Sequence, residues 1–112
     1  MVKVSIFYPN KSGSRFDGAY YLSVHIPLAI KLLGPAIKAV SVELGVSGGA
    51  PDQAPPYAAI CGFTSETVQA FTEAFLPHQA ELQSDIPNYT DIAPVIQVSQ
   101  LTDFDVGNSE AG

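Results

Sequence analysis

A chain of 112 residues, 46% hydrophobic and 14% charged, has the size and composition of one folded domain rather than of a disordered segment. All five bases lie within the first 38 residues and ten acids follow them, giving a formal charge of −6; such a surface repels phosphate backbones and anionic membranes, so neither is an expected partner. One cysteine, Cys61, rules out an intrachain disulfide or a cysteine metal cluster, and with no membrane-length apolar run and no leader pattern a cytoplasmic protein is expected.

The elements follow in chain order. Residues 2–9, VKVSIFYP, set Val2, Val4, Ile6 and Tyr8 against Lys3, Ser5 and Phe7, the period of two of a strand. Which set faces the core is not decided by periodicity. After a loop, Asp17 offers a side-chain oxygen as a helix cap, and a helical pattern runs to Leu33, where Gly34-Pro35 stops it. Residues 38–46 predict a second strand and 57–63 a third, separated by the breaker-rich GGAPDQAPP. Ser65 is the expected cap of a second helix with the stripe Val68, Phe71, Phe75, His78 and Leu82. Residues 94–101 predict a fourth strand, and the tail beyond about Phe104 is expected to fray.

The order β-α-β-β-α-β is that of an α+β, ferredoxin-like domain over residues 1–104, a four-stranded antiparallel sheet with two helices on one face. Residues 105–112 are the expected flexible tail. A sheet with apolar residues in both alternating sets argues for a homodimer through the uncovered sheet face.

The stretch FDGAYYLSVHIPLA carries the candidate chemistry. Tyr21, His25, Leu28 and Leu32 share one helical face, and residues four apart are neighbours. Pro27 has no amide proton, so the carbonyl of Ser23 loses its donor; a kink near residues 23–27 and a non-helical Ile26 are expected. A histidine at such an opening can act as an acid or base, and a phenol can hold a substrate oxygen. A hydrogen-bonded structural histidine satisfies the same pattern. The candidate catalytic residues are therefore His25 and Tyr21, and the candidate substrate contacts are Tyr89, Asn88, Tyr57, Phe7 and Leu28. His78, also beside a proline, reads as a packing residue, because neither histidine has the companions that a metal needs; no metal and no cofactor are expected. Cys61 reads as a small buried hydrophobe.

YPN near the start, FDxxYYxxxHxPLA, the strand pair around GGAP, and DIPNYTDIxPxxQxS together resemble the EthD family, named from ethyl tert-butyl ether degradation, over about residues 1–101. Gly18 departs mildly from the family pattern and weakens the helix start. The resemblance implies a dimeric α+β barrel whose subunits pack sheet on sheet. Relatives in that broad group include cofactor-free monooxygenases, muconolactone isomerases, polyketide cyclases and dye-decolourising haem enzymes. The reading that results is a small cytoplasmic dimer. It binds a small hydrophobic oxygenated compound in a cavity between helices and sheet, mouthed by the Asn88/Tyr89 loop, and transforms it without cofactor by isomerisation, cyclisation or oxygenation. The alternatives are a non-catalytic carrier or accessory to an oxidase, and a haem protein with His25 or His78 as axial ligand.

Overall fold

The computed structural model describes residues 1–107. The strands are β1 (Val2–Pro9), β2 (Ala39–Leu44), β3 (Tyr57–Ser65) and β4 (Val95–Gln100), in the spatial order β2-β3-β1-β4 with every neighbouring pair antiparallel. Both helices cover one face, as the element order predicts for a ferredoxin-like α+β fold. Residues 101–106 form neither helix nor strand, and residues 108–112 of the expected tail lie outside the described residues.

Register settles the open question of β1. Val4 pairs with Phe63 and Val98, Ile6 with Cys61 and Ile96, and Tyr8 with Ala59. Val4, Tyr8, Ala59, Cys61 and Phe63 are buried against the helices. Phe7 pairs with Ile60 and Val95 on the opposite face. There the Lys3 side chain lies across Gly62, where a β-carbon would collide with it.

The first helix, residues 18–33, is capped by Asp17, whose carboxylate accepts from the Tyr20 amide at 3.1 Å. It does not break at Pro27. Instead, Tyr21–His25 form a wider π segment in which the Ile26 amide reaches the carbonyl of Tyr21, and Ile26–Leu33 resume as α-helix. Ile26 is thus helical, with φ −65° and ψ −45°, contrary to the expectation from the following proline. The extra residue in the turn absorbs the missing donor, and Pro27 falls in the first turn of the resumed helix, where its lack of an amide proton costs little. Gly34 ends the helix at φ 64°, a conformation open to glycine.

The second helix begins later than expected. Thr67, not Ser65, is its cap, accepting from the Ala70 amide at 3.0 Å. Ser65 is the last residue of β3, fully buried, and donates to the carbonyl of Ala36 at 2.8 Å. The helix runs as Val68–Phe75, tightens at Leu76–His78 where Pro77 interrupts it, and resumes as Gln79–Asp85 before a last tight turn, Ile86–Asn88.

Candidate functional site

Between the two helices and the covered sheet face lies a cavity of about 300 Å³. Val4, Ile6 and Tyr8 of β1, Phe63 of β3, and Ile96 and Val98 of β4 form its floor; Tyr21, His25, Ala29 and Leu33 of the first helix and Phe71, Thr72, Phe75, Leu82 and Gln83 of the second form its roof. Exposed Val68, Ile96 and Val98 mark the rim, where the helices leave β4 uncovered.

The π segment aims one residue into this cavity with an anchored ring. His25 is buried, and its Nδ1 lies 2.9 Å from Oδ2 of Asp85. Oδ1 of the same carboxylate accepts from the Tyr20 hydroxyl at 2.6 Å and from the Asn88 amide at 2.9 Å. Burial pushes the Asp85 carboxyl up, but the bonds from Tyr20, Asn88 and His25 together outweigh it and hold it below the usual carboxylate range. Asp85 is therefore an ionised acceptor, and the neutral ring must carry its proton on Nδ1. Nε2 is left with the lone pair. It has no partner among the described residues, and no fully buried side-chain polar atom there is unsatisfied, so Nε2 keeps some accessible surface, on a ring that lines the cavity. An imidazole oriented by a carboxylate, with its other nitrogen unbonded, can act as a general base.

Around the ring is a cluster of aromatic side chains. Tyr21 stacks on His25 at 5.6 Å with 13° between planes, and Tyr89 lies 4.7 Å away on a tilt. The hydroxyls of Tyr8 and Tyr89 are 2.8 Å apart, and the Tyr21 hydroxyl sits beside that of Tyr8 and the thiol of Cys61. Burial raises the pKa of all three phenols and pushes the Cys61 thiol up to about 11. Near neutrality these groups keep their protons, so Tyr21 can donate a hydrogen bond but not act as a base.

The phenols also set an alkaline limit. Their folded pKa values lie above the unfolded value, so their contribution to stability is complete below about pH 10 and is lost as pH rises beyond it. Tyrosinate absorbance from these residues should appear only together with the loss of circular dichroism. A smooth titration of every tyrosine in a still-folded protein would contradict their burial.

The structure brings only part of the expected set together. His25 and Tyr21 line the cavity. Tyr89 is fully buried beneath them rather than at a mouth, and Asn88 acts through Asp85. Leu28 is half-buried against the core, outside the lining. Phe7 and Tyr57 lie on the other sheet face, their rings 5.3 Å apart. Asp85, Tyr8 and Tyr20 are the residues that sequence reasoning passed over. Asp85 opens the DIPNY stretch and Tyr8 belongs to YPN, so both stood within motifs that were already singled out. Among the described residues, no three His, Cys, Asp or Glu side chains are grouped to hold a metal ion, and no helix is long and apolar enough to cross a membrane.

Comparison with known proteins agrees with this architecture. The EthD domain matches residues 14–93. An EthD-like protein from Ralstonia eutropha JMP134 is 40% identical, with a TM-score of 0.88 over 97% of this chain and 96% of that one. An ethyl tert-butyl ether degradation (EthD) family protein from Bacillus halodurans C-125 is 17% identical, with a TM-score of 0.69 over 91% of this chain and 99% of its own. A protein from Arabidopsis thaliana is 18% identical, with a TM-score of 0.64 over 95% and 100% of the two chains. These last two share the fold. No curated protein matches the chain.

Proposed function

The chain belongs to the EthD family, and from that premise we propose that it binds a small hydrophobic oxygenated compound in the cavity and moves a proton on it with His25, without a cofactor. The observation that carries this reading is the His25 ring, which lines an apolar cavity with Nδ1 held by Asp85 and Nε2 without a partner among the described residues. In that geometry Nε2 accepts a proton from a ligand hydroxyl or from the carbon beside a carbonyl. Asp85 stabilises the imidazolium that forms, and the Tyr21 hydroxyl donates to the ligand oxygen as negative charge builds there. Isomerisation or cyclisation proceeds from the resulting anion; oxygenation requires that the anion react with dioxygen directly.

We further propose a homodimer through the helix-free face. Phe7 lies between Ile60 and Val95 in register, with Tyr57 beside it, an apolar row across three strands. Sedimentation should report twice the 11.8 kDa chain mass, and Ile60→Asp should shift it to one. A monomeric wild type rejects the dimer.

The site is tested by NMR of the His25 ring during addition of phenols, quinones and lactones. Ligands that shift the ring signals, and are then consumed, support the reading. Ring shifts with no consumption by any of them would leave a carrier, and a ring that no ligand moves would remove the cavity as a binding site.

A further inference from the structure

The imidazole and the phenols lie at one end of the cavity; the other is aliphatic and phenyl, with the Thr72 hydroxyl as a polar group beside Phe71 and Phe75. Along β1, Tyr8 and Val4 are four residues apart, which is about 13 Å of strand. Along the first helix, His25 and Leu33 are eight residues apart, about 12 Å. Tyr8, Tyr21 and His25 therefore group at one end. Val4, Leu33 and Phe63 group at the other, where Phe63 lies against Phe71 at 6.2 Å and Phe71 stacks on Phe75 at 5.7 Å.

Charge is absent from the lining. None of the residues lining the cavity is Lys, Arg, Asp or Glu. Lys3 lies across Gly62 on the far sheet face, and Lys11, Arg15, Lys31 and Lys38 are exposed. The charge bonded to the His25 ring at the polar end is the Asp85 carboxylate, and it is negative. A ligand that arrives as an anion meets this carboxylate through a neutral imidazole, inside an apolar space, with no cation to replace its water. A neutral ligand meets no such cost. When it gives its proton to Nε2, its new negative charge and the imidazolium appear together, so no net charge has to be brought in.

We infer, resting on the function proposed above, that the cavity selects by charge: it takes a flat, neutral hydrocarbon with an uncharged oxygen head and rejects the same skeleton bearing a carboxylate. The head sits between His25 Nε2 and the Tyr21 hydroxyl, and the hydrocarbon body lies against Phe63, Phe71 and Phe75. Phenols, enols, ketones and esters of this shape qualify. Aromatic carboxylates and phosphate esters do not.

The test uses 2-naphthol, methyl 2-naphthoate and 2-naphthoate, three probes that share one skeleton. Binding to the whole protein is measured by calorimetry, at a single pH at which 2-naphthoate is ionised and 2-naphthol is neutral. The naphthol and the ester should bind, and the carboxylate should bind about a hundredfold more weakly or not at all. A carboxylate that binds within a few-fold of its ester overturns the charge rule while leaving the cavity reading intact. Failure of all three to bind overturns the cavity reading, and the charge rule with it. A rim substitution supplies a second arm. Gln83 lines the cavity from an exposed position, so Gln83→Lys adds a cation without disturbing the core. It should raise the affinity for 2-naphthoate about tenfold relative to that for 2-naphthol. If the wild type rejects the carboxylate and Gln83→Lys rejects it equally, the missing cation is not the cause and the inference falls.

Discussion

A His25→Gln protein should fold, keep its ligand affinity within a few-fold, and turn ligand over about 10²- to 10⁴-fold more slowly than wild type. Glutamine fills most of the space of imidazole and can still donate to Asp85, which also keeps its bonds from Tyr20 and Asn88. What it lacks is a basic nitrogen lone pair. The rate falls in kcat rather than in KM, because the lost interaction exists only when the proton moves. Asp85→Asn should reproduce much of the loss by another route. An asparagine amide can donate to Nδ1, which turns the ring over to the tautomer with its proton on Nε2, and the base then points a hydrogen at the ligand. The two substitutions together should cost little more than either alone, since both disable one unit. Full turnover by a folded His25→Gln protein would remove proton transfer by His25 from the mechanism. Loss of folding in Asp85→Asn but not in His25→Gln would make the carboxylate a structural hub instead.

How much of this was legible before the fold was known follows from the range over which each interaction acts. Alternation in VKVSIFYP separates Tyr8 from Phe7, but both sets contain large apolar residues, and only packing decides which set the helices cover. Phe7 and Tyr57 thus read as cavity residues and turn out to share the far face. Tyr21 and His25 four apart on one helix are a local fact and survive intact. Pro27 reveals that a hydrogen bond is missing, not that the chain inserts a residue into the turn rather than bending away from helical angles. Asp85 is 60 positions from His25, so nothing local pairs them. Tyr89 follows three turn-forming residues and reads as a surface loop. It is buried because the loop is pinned from outside, by Arg15 donating to the Pro87 carbonyl and to the Asp91 carboxylate, and by the bridge between Phe16 and Thr90.

That pinning makes Tyr89 the position where substitution should cost most stability. Its side chain is fully buried, packed against Phe16, Tyr8, Tyr20, Tyr21 and His25. Its carbonyl accepts the Asp17 amide at 2.7 Å, and Asp17 caps the helix that carries Tyr20, Tyr21 and His25. Tyr89→Ala opens a cavity that the surrounding rings cannot refill and should cost about 3–5 kcal/mol. That is a large share of the ~5–15 kcal/mol that holds a domain together. Tyr89→Phe keeps the ring and removes only the hydroxyl. Tyr8 then loses its 2.8 Å partner in a buried place, at a cost of about 1–3 kcal/mol. Because the cost is that of an orphaned group, adding Tyr8→Phe should give back part of it. The double phenylalanine variant should be less destabilised than the sum of the singles by about 1 kcal/mol, measured by denaturant unfolding. Strict additivity would mean that the two hydroxyls do not depend on each other. The same cycle read at the His25 ring separates stability from chemistry. The ring signals should stay near their wild-type positions in Tyr89→Phe, since the aromatic face against imidazole remains, and they should move in a Tyr89→Leu protein that folds but has lost that face.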